Sequence, residues 1–113
     1  MDQNIMSDDQ RHQRPVILCL STTGLPLATQ IAGAVDGDVH GLAGRCDEAP
    51  HAFDNLLSHA AALYNAGRPV IGLCAAAILI RAVAPHLGRK RTDPPVLAVA
   101  EDGSATVPLL GLH

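Results

Sequence analysis

"PVILCLSTTGLPLATQIAGAV", residues 15–35, decides the fold. Its first seven residues form a continuous apolar run with β-branched members, the pattern of a strand covered on both faces. Gly24 then supplies a tight turn. Leu25, Ala28, Ile31, Ala32 and Val35 follow at helical spacing, with Thr22 or Thr23 placed to cap the helix. A buried strand that feeds a helix through a tight turn is the opening unit of a parallel α/β sheet.

The unit recurs downstream. "PVIGLCA", residues 69–75, repeats the first strand, and "AAAILIRAVA" continues as a helix that Pro85 ends, because the residue before proline avoids the helical region. On that helix Ile80, Val83, Ala84 and Leu87 are expected to face the sheet. Between the two units, "GDVHGLA" reads as a short strand and "RCDEAPH" as a polar loop. In "HAFDNLLSHAAALYNAG", residues 51–67, Phe53, Leu56, Leu57, Ala60, Ala61 and Tyr64 trace one helical face, and Asn65 to Gly67 stop it. "PPVLAVAEDGSATVPLL", residues 94–110, reads as two strands around the hairpin turn Asp102-Gly103. The expected fold is α/β: a small three-layer Rossmann-like sheet, mostly parallel, with a C-terminal antiparallel hairpin. Residues 1–14 read as a flexible arm and residues 15–113 as a single domain.

With 113 residues, 48% of them hydrophobic, the chain supplies one modest core. A net charge of −3 gives no global basic field, and Phe53 and Tyr64 are the only aromatic residues for stacking on bases, so nucleic acid is not an expected partner. Cys19, Cys46 and Cys74 are odd in number and contain no CxxC, which fits a reducing cytoplasm better than a disulfide framework. The amino terminus lacks the apolar core of a signal peptide, and no apolar run is long enough to span a membrane.

Ligands of open α/β sheets collect beyond the carboxyl ends of the strands, near helix N-termini. Two stretches qualify. In "STTG", Ser21, Thr22 and Thr23 can donate hydrogen bonds to a ligand beside Gly24, although capping explains the hydroxyls equally well. In "GLCAAA", Cys74 and Ala75 permit close approach, although a lone buried cysteine is commonly inert. The six residues between Cys74 and Arg81 lack glycine and polar groups, so no backbone anion cradle of the cysteine-phosphatase kind can form. The six histidines show no HExxH, and His51 and His59 fall too far apart on a helix to share a metal. No metal site is expected. No cofactor is expected either, since no glycine-rich phosphate fingerprint occurs. The densest basic cluster, Arg89, Lys90 and Arg91, follows Arg81 and precedes Asp93, which Pro94 holds extended and which could pair with Lys90. Together these residues suggest an anion-facing site, against the plainer reading of a snorkelling arginine and charges that offset a helix dipole.

Residues 71–113, "IGLCAAAILIRAVAPHLGRKRTDPPVLAVAEDGSATVPLLGLH", resemble the N-terminal domain of the CbiG family, the cobalt-precorrin-5A hydrolases of cobalamin biosynthesis. That family shows a helix with "VR..AP", a "DK..DP" segment, a "DE.G" turn and then "PLL.GH.GGAN". Arg81, Ala84-Pro85, Lys90, Asp93-Pro94, Glu101-Asp102-Gly103, Pro108-Leu109-Leu110 and Gly111 follow the same order. Leu112 stands where the family has a glycine, and the sequence stops at His113, before the "GGAN" segment, so the expected domain is a shortened one.

The resemblance implies opening of a δ-lactone on a corrinoid, with loss of a two-carbon fragment as acetaldehyde. Arg81 or Lys90 would then polarise the lactone carbonyl and Asp93 or His113 would activate water. Thr22, Thr23, Gly24, Cys74, Ala75, Arg89, Arg91 and Gly111 would bind the acid-rich substrate. The implied partners are a precorrin intermediate and other cobalamin-pathway enzymes, or a fused precorrin-3B methyltransferase. The alternative is a non-catalytic corrinoid-binding module. The hairpin's open edge offers a route to a homodimer.

Overall fold

Strand β1, Val16–Cys19, is buried along its whole length, because side chains leave it alternately into two different apolar layers. Val16 and Leu18 enter one core and Ile17 and Cys19 the other. The computed structural model describes residues 14–88 and 93–111. After β1 come a 3₁₀ turn, Thr22–Gly24, helix α1, Leu25–Val35, and strands β2, Asp38–Leu42, and β3, His51–Phe53. Helix α2, Leu56–Asn65, leads to β4, Val70–Leu73, and helix α3, Ala76–Val83, to β5, Val96–Val99. Strand β6, Thr106–Leu110, returns antiparallel to β5, and every other pairing is parallel.

The sheet order is β3-β2-β1-β4-β5-β6. Ala28 of α1 joins Ile17, Cys19, Val39, Ile71, Leu73 and Val99 in one apolar cluster. Helices α2 and α3 cover the other face through Ala60, Leu63, Tyr64, Leu79, Ala82 and Val83. The result is the three-layer, mostly parallel α/β sheet with a C-terminal hairpin that the alternating apolar runs imply.

Several local expectations are corrected. Phe53 belongs to β3 rather than to a helix. Helix α2 starts only after Asn55, whose side chain accepts from the Ser58 backbone N–H at 3.0 Å. Its buried face runs through Ala60, Leu63 and Tyr64, leaving Leu57 exposed. Neither Thr22 nor Thr23 caps α1. Gly24 occupies that position, and Pro26 in the first turn pre-sets the helical φ. The buried face of α3 is Leu79, Ala82 and Val83, so of the residues expected to face the sheet Ile80, Ala84 and Leu87 remain exposed.

The link between parallel strands β2 and β3 contains no helix, although such crossovers usually need a dozen or more residues. The loop instead folds back on β2 at Gly41. A Cβ there would lie 2.3 Å from the Cys46 carbonyl oxygen and 2.6 Å from the Ala49 Cβ. Cys46 is thereby buried with its sulfur 3.2 Å from that of Cys19.

At the amino edge, Asp38 binds Arg14 at 2.8 Å and Arg68 at 2.7 Å, tying the entry to β1, β2 and the entry to β4 together. These bonds, Arg14's foremost, hold the Asp38 carboxyl down to about 2. Further along β2, His40 Nδ1 lies 2.8 Å from His59 Nε2 of α2, and His51 of β3 and the Phe53 ring complete the cluster. Burial, reinforced by His59 and His51, lowers the His40 imidazole to about 4.

Three expectations follow for purified protein in urea or thermal unfolding. Gly41→Ala should destabilise by about 2 kcal/mol or more, because backbone rather than a yielding side chain blocks the new methyl. His40 folds neutral, so its contribution is complete above its ordinary 6.5 and drains away as pH falls toward about 4. His40→Phe should flatten that limb of the stability profile. Asp38 folds as a carboxylate, so its contribution is lost at still lower pH, between its ordinary 3.8 and about 2. Asp38→Asn should remove that loss and cost about 1–2 kcal/mol at neutral pH, allowing for solvent screening.

Candidate functional site at the carboxyl edge of the sheet

The chain leaves β1 toward α1 on one face and leaves β4 toward α3 on the other, so the carboxyl ends of these neighbouring strands splay apart. Strand orders of this type open a crevice at that point. A cavity of about 460 Å³ lies there, beyond β1, β4 and β5. Its wall is made of Leu20, Leu73, Ala75, Ala76, Ala98 and Val107, with Cys74 and Glu101 as the ionisable groups. The small side chains after β4 keep the entrance to α3 open. No side chain caps that helix, and its first residue, Ala76, lines the cavity.

Glu101 and Ser21 meet across this edge. Each follows its strand by two residues, and the Ser21 hydroxyl donates to Glu101 Oε2 at 2.5 Å. Gly24 makes room for the pair, since a Cβ there would lie 2.9 Å from Glu101 Cγ and 3.2 Å from a Leu73 methyl. Burial pushes the Cys74 thiol up to about 11, so it is protonated at neutral pH and a poor nucleophile.

The other residues singled out in the sequence are distributed between the two ends of the sheet. Gly24, Cys74 and Ala75 gather at the carboxyl edge. Thr22 stands beside them with its hydroxyl donating to the Arg45 carbonyl at 3.2 Å, and Thr23 borders a shallower depression next to Glu101. Arg81 is exposed in the last turn of α3 and is not part of the cavity wall. Asp93 precedes β5 and therefore lies at the opposite, amino edge, where it accepts a hydrogen bond from the Tyr64 hydroxyl. Burial and this bond push the Tyr64 phenol up to about 12. Gly111 sits at the same amino edge with φ of 75°, and a Cβ there would lie 2.7 Å from the Asp93 and Pro94 carbonyl oxygens. That gives Gly111 a backbone reason to be glycine. Arg89, Lys90, Arg91 and His113 lie outside the described residues.

Glu101 is not among the site residues that the sequence suggests, because "EDG" reads first as a hairpin turn. Its position just past the end of a parallel strand was the available signal. The histidine cluster is not suggested by the sequence either, because His40, His51 and His59 converge only when β2, β3 and α2 assemble. Among the described residues no group of three or more His, Cys, Asp or Glu is arranged to hold a metal ion, and no helix is long and apolar enough to cross a membrane.

No curated protein and no solved structure matches the chain significantly. One family model does, described as cobalamin synthesis G N-terminal, over residues 58–113. That segment carries most of α2 together with β4, α3, β5 and β6, and so every residue that lines the cavity except Leu20. The order of residues from Arg81 to Gly111 and this match agree: residues 58–113 belong to the cobalamin synthesis G N-terminal family, which implies a role for the chain in cobalamin biosynthesis.

Proposed function

We propose that the chain acts on a corrinoid intermediate, opening the δ-lactone of cobalt-precorrin-5A with release of acetaldehyde. The observation that carries this reading is the cavity at the switch point of a sheet whose C-terminal half belongs to a cobalamin-synthesis family. Its small apolar wall suits the edge of a macrocycle. The uncapped first turn of α3 presents N–H groups suited to a carbonyl oxygen that becomes negative as water adds. Arg81, Arg89, Lys90 and Arg91 are the charge partners for the acetate and propionate arms of such a substrate. Arg81 and Lys90 remain candidates to polarise the lactone and His113 to activate water, whereas Asp93, the other candidate for that role, is held by Tyr64 at the opposite edge.

A binding role without turnover, alongside a cobalamin-pathway enzyme such as a precorrin-3B methyltransferase, is the second reading. The engagement of Asp93 by Tyr64, at the edge away from the cavity, favours it. The odd number of cysteines and the lack of a CxxC motif suit a reducing cytoplasm in either case.

The purified chain mixed with cobalt-precorrin-5A should release acetaldehyde, with the mass gain of lactone opening on the corrinoid. Saturable binding without release would favour the binding module. Ala75→Leu, which fills the mouth of the cavity from an exposed position, should weaken corrinoid binding about tenfold, roughly 1.4 kcal/mol, without changing the unfolding midpoint.

A further inference from the structure

We infer that Glu101 is the general base of this site and that Ser21 is its positioning residue. The inference rests on the lactone-hydrolase reading above. Two ionisable groups line the cavity, and the thiol of Cys74 is held protonated by burial, which leaves the Glu101 carboxylate to accept a proton. Ser21 donates to Oε2, which assigns proton acceptance to Oε1. The pair is anchored from two strands, since Ser21 follows β1, Glu101 follows β5 and Gly24 leaves the space in which the carboxylate sits. Such a cross-strand bond narrows the rotamers of an otherwise mobile side chain, as a base beside a small apolar cavity requires.

The step balances without a co-reactant other than water. Glu101 Oε1 takes a proton from water as the water oxygen bonds to the lactone carbonyl carbon. The tetrahedral adduct then breaks its ring C–O bond, and the proton passes from Glu101 to the departing alkoxide oxygen. The products are a carboxylic acid and a secondary alcohol. Loss of acetaldehyde from that alcohol breaks the carbon–carbon bond to the macrocycle. The hydroxyl proton leaves, the bonding pair stays on the ring carbon, and that carbon takes up a proton. Glu101 on the same edge is placed to accept the hydroxyl proton in this second stage.

The test uses the 113-residue chain and cobalt-precorrin-5A with two readouts, corrinoid binding by absorbance titration and acetaldehyde release. Glu101→Gln preserves size and an acceptor for Ser21. It should bind the corrinoid within about threefold of the parent and lose at least about 100-fold in release. Ser21→Ala should lower kcat about tenfold with KM unchanged, and Ser21→Thr should restore most of the loss, a split that a merely structural role would not produce. Unimpaired release by Glu101→Gln in a chain that itself turns over would overturn the inference and leave the hydrolase reading standing. A parent chain that binds without releasing acetaldehyde, or that does not bind, would instead overturn the hydrolase reading and this inference with it.

Discussion

Two-sided burial of β1 is the constraint on which the rest of the structure depends. Val16, Ile17, Leu18 and Cys19 are all withdrawn from water, so both faces of the central strand need an apolar cover. One cover comes from α1 and the other from α2 and α3, and no arrangement with fewer layers would serve. Because β1 is flanked by β2 on one side and β4 on the other, the same requirement creates the switch point at which the cavity opens. Stability and the candidate site therefore have a common origin.

The two edges of the sheet are used differently. At the amino edge polar groups are matched and closed: Asp38 between Arg14 and Arg68, and Asp93 against Tyr64. These bonds satisfy charged or buried polar atoms and tie strand entries together, a structural use of ionisable groups. At the carboxyl edge the cavity wall is small and apolar, the first turn of α3 has no side-chain cap, and Glu101 faces open space with Ser21. Chemistry needs groups that a substrate can reach, and that description fits the second edge.

The loop from β2 to β3 shows how a short parallel connection is tolerated. Without a helix to cross the sheet, the backbone of Cys46 and the side chain of Ala49 lie directly on Gly41, and Cys46 fills the space over Cys19. The absence of a side chain at Gly41 substitutes for the spacing that a longer crossover would provide. This half of the sheet also holds the His40, His51 and His59 cluster. His40 and His51 of that cluster precede the matched family segment, and His59 lies within it.

By itself the sequence determined the layered α/β class, because the runs at residues 15–21 and 69–75 admit no exposed face and the intervening segments carry helical periodicity. It also determined the hairpin, through Asp102-Gly103, and the family, through the linked order of Arg81, Asp93-Pro94 and Pro108-Leu109-Leu110. Only the tertiary structure decided which strand end each polar residue reaches. Asp93 and Glu101 are eight residues apart, both in reach of a sequence argument about catalysis, yet β5 lies between them and carries them to opposite edges of the sheet. Phe53 likewise left the helix its spacing suggested, because three residues at the sheet edge gain backbone partners from β2 that a first helical turn would not have. Periodicity reports which face of an element is buried. The end of the sheet at which a side chain emerges depends on chain direction and strand order, which are set by contacts between residues remote in sequence.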